Sequence, residues 1–166
     1  MSETKTHDEQ VKKIGEMIAD ARICTFTTVD NDGTLWSRPM AIQTKDFDGV
    51  LHFFTYADSE KVEHVGRNPN VAVGFSDPKL QNYVMMAGQA AVLDDRAKIA
   101  ELWSEPMRTW FPEGKDDPNL RLVRVDTDRA EYWDSPSSTV LHAYGYVKAV
   151  ITGKPPGQGD HAKVDL

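Results

Sequence analysis

The residues with the most useful chemistry stand where a strand pattern gives way to a helix pattern. Ser59 and Lys61 follow the pair Phe54-Thr55 after a tight loop. The N-terminus of a helix presents unpaired N–H groups and a partial positive charge, which together favour a phosphate group. Ser59 adds a hydroxyl donor and Lys61 a point charge. Taken alone, an ordinary capped helix with a solvated lysine explains the same residues.

Two further segments carry groups that suit a phosphorylated, planar ligand. Arg38 stands in an otherwise apolar-alternating strand, where its guanidinium can bind a phosphate through two hydrogen bonds. Pro39 removes a backbone donor and frees nearby backbone to meet a ligand. Trp133 closes a later strand and can cover a planar ring. The alternatives are a surface arginine beside an edge proline, and a tryptophan that only packs in the core.

Composition limits the classes of function. A chain of 166 residues suits one domain, and the net charge of −7 argues against general binding of nucleic acid. No apolar run has the length of a membrane helix, and the polar N-terminus is no secretory signal, so we expect a cytoplasmic location. Cys24 is the only cysteine and is expected in the core. The scattered histidines predict no metal site.

The elements that position these residues are mostly strands. Short acidic-glycine turns predict an antiparallel meander for the first three strands, and the whole pattern predicts a mainly β fold, a small closed barrel. We expect one domain over residues 1–152 and a mobile tail over 153–166. Strands are predicted at Ile23–Val29, Thr34–Thr44, Val50–Thr55, Asn70–Ser76, Tyr83–Leu93, Leu120–Asp126 and Arg129–Asp134. Helices are predicted at Thr6–Ala21, from Asp58 or Ser59 to Arg67, at Asp94–Trp103 and at Ser138–Ile151.

The order of several segments resembles the pyridoxamine 5′-phosphate oxidase-like proteins, and within them the bacterial branch called general stress protein 26. The likeness runs from about Glu9 to the C-terminus. The segments that carry it are Phe54-Thr55 with Ser59-Glu60-Lys61, Asn68-Pro69, Trp110–Gly114, Asp116–Pro118, Glu131–Pro136 and Thr152–Pro156.

This resemblance implies an FMN-binding split β-barrel of six to seven antiparallel strands with flanking helices. It also implies a homodimer that holds FMN, rather than FAD, at its interface. Arg38 and Lys61 would hold the phosphate, with help from Ser59. The flavin ring would be lined by the backbone from Arg38 through Pro39 and Met40 to Gln43, and by Phe54-Thr55. Tyr83 would stand where the oxidases use a glutamine of the partner chain, and Trp133 matches a flavin-site tryptophan.

Departures from the oxidases bear on the substrate. Glu60 replaces an arginine, and Gln43 replaces a lysine. The substrate-phosphate segment of the oxidases has no counterpart between Leu102 and Lys115, and Ser137–Thr139 replaces their C-terminal basic motif. Oxidation of vitamin B6 phosphates is therefore not expected.

Three functional hypotheses follow from the resemblance and these departures. They are a flavin-dependent oxidoreductase acting on another small molecule, a non-catalytic flavin-binding or flavin-sensing stress protein, and a split barrel that uses deazaflavin or haem. The loop from Trp110 to Pro118 either covers the flavin or packs the end of the barrel.

Overall fold

The computed structural model describes residues 6–134, 150 and 160–166, which contain seven strands. The strands are β1 (Ile23–Val29), β2 (Leu35–Ala41), β3 (Val50–Tyr56), β4 (Asn70–Asp77), β5 (Asn82–Leu93), β6 (Leu120–Asp134) and β7 (Asp160–Asp165). The helices are α1 (His7–Ala21), α2 (Glu60–Arg67), α3 (Arg96–Leu102) and a 3₁₀ helix (Glu105–Thr109).

The strands form one antiparallel sheet that closes on itself. Their order is β2-β1-β4-β5-β6-β3, with β7 added to β6. Closure comes from a bridge between Ile42 and Phe53 and from the Gln43 N–H, which donates to the His52 carbonyl at 2.8 Å. The structure thus confirms the predicted mainly β split barrel. Pro39 lies in β2, at one end of the strand order, where a missing backbone donor is tolerated.

Two predictions about strand connection are wrong. The first three strands do not form a meander, because β3 pairs along its whole length with β6 instead of β2. The two strands predicted around Thr127 are one strand, β6, whose pairing with β5 shifts register beside Gly88. A Cβ atom at Gly88 would lie 2.2 Å from the carbonyl oxygen of Asp126, so only glycine permits this approach. Turn residues indicate where a strand ends but not which distant strand it pairs with.

The C-terminal segment also departs from the sequence-based expectation of a tail. Residues 160–165 form β7, and Val164 is buried in the core at 3% exposure. Ala162 and Val164 alternate with charged residues, so one side of this short strand packs inward while its backbone pairs with β6. The rest of the expected tail lies outside the described residues, as do Ser137–Thr139 and all but Val150 of the helix expected at Ser138–Ile151.

Two apolar clusters lie on opposite faces of β3. The larger fills the barrel and includes Phe26 and Phe53, together with Cys24, whose thiol has its pKa raised to about 12 by burial. The helix α1 packs against this cluster through Ile14 and Ile18 and begins with a capping box formed by Thr6 and Glu9. The second cluster lies outside the barrel wall, where Phe54 packs against residues of α3 and the 3₁₀ helix. Alternation along β3 therefore separates the side chains of Phe54 and Thr55.

Candidate functional site: a cationic corner and an aromatic rim

Four of the predicted residues meet at the junction of β2, β3 and α2, which we call the cationic corner: Arg38, Thr55, Ser59 and Lys61. The Lys61 ammonium donates to Thr55 Oγ1 at 3.2 Å, and the hydroxyls of Thr55 and Ser59 are 2.9 Å apart. Thr55 is buried, whereas Arg38, Ser59 and Lys61 are half-buried. The corner therefore offers two cations and two hydroxyls from three different elements.

The local sequence explains why these groups converge. Thr55 faces the same side of β3 as Phe53 and stands where that face reaches the end of the strand. Ser59 occupies the N-cap position of α2, but its side chain makes no capping hydrogen bond because the hydroxyl is engaged with Thr55. Lys61 follows in the first turn of α2 and folds back over the same threonine.

The electrostatics of the corner are those of an anion site. Burial lowers the pKa of Lys61, and the neighbouring Arg38 lowers it further. Burial also lowers the pKa of Arg38, while the Glu60 carboxylate raises the pKa of both groups. Within the described part of the chain, no carboxylate oxygen lies within 4.0 Å of either cationic group. Two cations thus share a partly desolvated space without a direct counter-ion, an arrangement that an anionic ligand stabilises.

Glu60 does not enter the space between the two cations. Its side chain is 68% exposed, and Oε1 turns along α2 towards His64 Nε2, at 4.0 Å. The corner therefore keeps its positive character despite the acidic residue beside Lys61.

The other residues that were expected near the flavin ring do not all lie on one surface. Pro39 is exposed and pairs with Thr25 of β1, while Met40 is buried in the larger cluster. The Gln43 amide donates to the Ala41 carbonyl at 3.1 Å and to Met107 Sδ at 3.3 Å. The Phe54 side chain contacts Phe111 and Trp103 in the second cluster, so it lies on the face of β3 opposite the Thr55 side chain.

Tyr83 and Trp133 lie side by side elsewhere, on what we call the aromatic rim: Tyr83, Trp133 and His161. Tyr83 of β5 is directly opposite Trp133 of β6, and the Trp133 ring stacks on His161 of β7 with centroids 5.2 Å apart. His161 is held in turn by Glu131 Oε1 at 2.7 Å. Tyr83 is 37% exposed.

The corner and the rim face different sides of the barrel wall. Arg38 pairs with the buried Phe26, so it faces inward at the barrel end, and it bonds to the fully buried Thr28. Tyr83 and Trp133 alternate with the buried Val84 and Tyr132, so they face outward. Two strands, β1 and β4, separate β2 from β5, which corresponds to about 14 Å at ordinary strand spacing.

Two residues behind the corner, Thr28 and His64, were missed by sequence reasoning. Arg38 Nη1 donates to Thr28 Oγ1 at 2.5 Å, and the same oxygen lies 2.9 Å from His64 Nδ1. Thr28 is fully buried and His64 is 3% exposed. The alternation of β1 gave a usable signal, because Thr28 continues the inward series of Cys24 and Phe26.

The loop from Trp110 to Pro118 packs over the second cluster. Phe111 contacts both Phe54 and Tyr56, and Arg108 donates to the Pro112 carbonyl at 3.2 Å. Trp110 is 69% exposed. The loop therefore contributes packing outside β3.

In residues 6–134, 150 and 160–166, no helix is long and apolar enough to cross a membrane. In the same residues, no three His, Cys, Asp or Glu side chains are grouped as metal ligands would be.

Comparison with known proteins gives a consistent set of relatives. Residues 9–157 match the sequence family described as “Pyridoxamine 5'-phosphate oxidase like”. General stress protein 26 of Bacillus subtilis (strain 168) is 32% identical over 125 residues, which are 70% of this chain and 83% of that protein.

Two solved structures extend the likeness to the fold. The general stress FMN/FAD binding protein from Xanthomonas citri superimposes with a TM-score of 0.68 at 30% identity, over 79% of this chain and 92% of that one. A putative general stress protein 26 from Jannaschia sp. CCS1 shares the fold over 96% of this chain and 99% of its own, with a TM-score of 0.78 at 23% identity.

Proposed function

The chain belongs to the pyridoxamine 5′-phosphate oxidase-like family, and we propose that it is a stress-type flavoprotein that binds the phosphate of FMN at the cationic corner. The observation that carries this proposal is the proximity of Arg38 to Lys61 in a space where no described carboxylate forms an ion pair with either cation. A relative whose name states FMN/FAD binding supports the choice of a flavin.

The corner suits a phosphate monoester. Such a group carries about −1.5 to −2 charges at neutral pH and has three strong acceptor oxygens. Lys61 would supply a point charge, Arg38 a planar pair of donors, and the hydroxyls of Thr55 and Ser59 further donors. The burial that lowers the pKa of both cations would also exclude water from the site. Their attraction to the phosphate would therefore be stronger than in bulk water. FMN ends in such a monoester, whereas FAD carries a diphosphate diester.

In one chain, the flavin ring would contact mainly backbone, and side chains of that chain would not enclose it. The strand from Arg38 to Gln43 leads away from the corner, and we propose that its backbone lines one side of the ring. Tyr83 and Trp133 of the same chain face the other side of the barrel wall. We therefore propose that a second copy of the chain brings its aromatic rim to the ring, so that the protein is a homodimer with flavin at the interface.

We further propose that the protein is an oxidoreductase. When bound, a flavin supplies electron transfer that side chains cannot provide, and the chain's own residues bind and orient it. The substrate would not be a vitamin B6 phosphate, because the oxidases' substrate-phosphate segment has no counterpart between Leu102 and Lys115. The same missing segment favours the second candidate, a flavin-binding stress protein without catalysis.

The absorption spectrum of the purified protein, loaded in turn with FMN, FAD, deazaflavin and haem, tests the proposed cofactor. Tight, stoichiometric loading with FMN is expected, and stoichiometric loading with haem or deazaflavin but not FMN would contradict the proposal. Reduction of the bound flavin by NADH or NADPH with turnover of an acceptor separates an oxidoreductase from a protein that only binds flavin. Turnover of pyridoxine 5′-phosphate at the rate of a true oxidase would contradict the substrate assignment.

A further inference from the structure

A buried polar chain stands directly behind Arg38. It runs from Arg38 Nη1 to Thr28 Oγ1 at 2.5 Å, and from that oxygen to His64 Nδ1 at 2.9 Å. On its far side, His64 Nε2 lies 3.5 Å from Asp30 Oδ1 and 4.0 Å from Glu60 Oε1. Buried polar groups with well-defined partners fix the geometry of whatever they contact.

The direction of each hydrogen bond follows from the inventory of donors. A guanidinium only donates, so Thr28 Oγ1 accepts from Arg38. Of the two ring nitrogens of His64, Nε2 faces the Asp30 carboxylate and therefore carries the ring proton of the neutral imidazole. In that tautomer Nδ1 is an acceptor, and the Thr28 hydroxyl donates its one hydrogen to it.

We propose that Thr28 and His64 are positioning residues of the phosphate site and act on the ligand through Arg38. This inference rests on the proposed binding of FMN. The carboxylate of Asp30 orients the His64 ring, the ring orients the Thr28 hydroxyl, and the hydroxyl oxygen holds Arg38 Nη1. The remaining guanidinium N–H groups are thereby aimed towards the corner.

A second contact makes the direction of Arg38 more definite. Arg38 Nη1 also donates to the Trp36 carbonyl at 3.0 Å, so one edge of the guanidinium is anchored on two sides. A guanidinium with one anchored edge presents the opposite edge to a ligand. Without Thr28, the long side chain keeps only the backbone anchor and samples more orientations.

The test compares FMN with riboflavin, which lacks the phosphate, in two matched pairs of variants. Thr28→Val removes the hydroxyl at nearly constant volume, whereas Thr28→Ser retains it. His64→Leu removes the acceptor, whereas His64→Asn retains an oxygen at the position of Nδ1. Flavin fluorescence gives the dissociation constant of each ligand, and thermal melting reports whether each variant is folded.

We expect Thr28→Val and His64→Leu to raise the dissociation constant of FMN about five- to tenfold, as loss of one hydrogen bond at a charged group predicts. Riboflavin affinity stays within about twofold, and Thr28→Ser and His64→Asn keep the wild-type preference for FMN. A variant that merely loosens the fold lowers the affinity for both ligands.

An unchanged FMN preference in both Thr28→Val and His64→Leu would overturn the positioning role, and so would an equal loss in each matched pair. If Thr28→Val does not fold, the His64 pair decides by the same criterion. If wild-type protein binds FMN no better than riboflavin, the proposed function itself fails. That outcome is distinct from a positioning failure, in which the wild type retains its preference.

Discussion

The cationic corner and the aromatic rim are built in different ways. The corner gathers Arg38, Thr55, Ser59 and Lys61 from three elements of one chain, and the buried hydroxyls of Thr55 and Thr28 anchor its two cations. The rim is a flat, outward-facing row across three neighbouring strands, stabilised by stacking of Trp133 on His161.

One chain completes the corner by itself, but it does not bring its own rim to that corner. A single chain pre-forms the corner, so the proposed recognition of phosphate depends on intrachain contacts. The rim faces away from that corner and contributes to the proposed site only across an interface. Changes in the corner should therefore alter the preference for FMN over riboflavin, whereas changes in the rim should alter the affinity for both ligands.

The largest expected effect is that of Lys61→Gln. Losing a charge-assisted contact to phosphate costs about 1.5–3 kcal/mol, roughly a ten- to hundredfold rise in the dissociation constant for FMN. Riboflavin binding should change little, and Lys61→Arg should retain most of the affinity for FMN. Fluorescence titration of both flavins measures this. Equal binding of FMN by wild type and Lys61→Gln would show that Lys61 is a solvated helix residue and does not bind the phosphate.

Trp133→Leu should have the next largest effect, and on both flavins alike. Removing an aromatic ring that stacks on a ligand costs about 0.5–1.5 kcal/mol, or up to about tenfold in affinity. The control is His161→Leu, which removes the stacking partner of Trp133 but leaves the indole in place. A loss confined to FMN would contradict the assignment of the rim to the flavin ring.

The pH dependence of binding should distinguish the two regions, because the affinity for FMN should change a few-fold with pH in a way that the affinity for riboflavin does not. A phosphate monoester becomes a dianion as pH rises through about 6, so FMN affinity should rise over that interval. It should fall again at alkaline pH as Lys61 loses its proton, earlier than for an ordinary lysine because burial and Arg38 lower its pKa. Titrating riboflavin in the same buffers provides the control, because riboflavin lacks the phosphate and its affinity should not share the rise near pH 6. A parallel rise for riboflavin would place the titrating group outside the phosphate site.

Glu60→Gln should have the smallest effect. The exposed Glu60 carboxylate raises the pKa of both Arg38 and Lys61, so its removal leaves a more positive corner. FMN affinity should increase about twofold at low salt, and the gain should disappear at high salt because exposed charges are screened. Glu63→Gln is the matched control, since that carboxylate pairs with Arg67 farther along α2. A fall in FMN affinity for Glu60→Gln would show that Glu60 supports the site.

Sequence reasoning predicted the corner better than the connections between strands. The strand-to-helix transition between Thr55 and Ser59 is a local signal, so the sequence placed both residues at one junction, although Ser59 bonds to Thr55 and does not cap α2. The pairing of β3 with β6 and the strand β7 depend on contacts between distant segments, which no short pattern encodes. Thr28 and His64 were missed because a polar residue at an inward position predicts burial but not its partner.

Within the site, adjacent residues had different outcomes. Phe54 and Thr55 were predicted as a pair that lines the ring, yet their side chains lie on opposite faces of β3. Tyr83 and Trp133, which were predicted separately, lie together because their register places them opposite each other in adjacent strands.

The most direct test of the account mixes two defective proteins, Lys61→Gln and Trp133→Leu, under conditions in which subunits exchange. If each site combines the corner of one chain with the rim of another, every mixed dimer contains one intact site. About a quarter of all sites should then bind FMN with wild-type affinity, as random pairing of two chains requires. Distinct tags on the two variants verify that exchange has occurred. No recovery of high-affinity FMN binding, in a sample where mixed dimers are present, would contradict the proposal that corner and rim form one site across the interface.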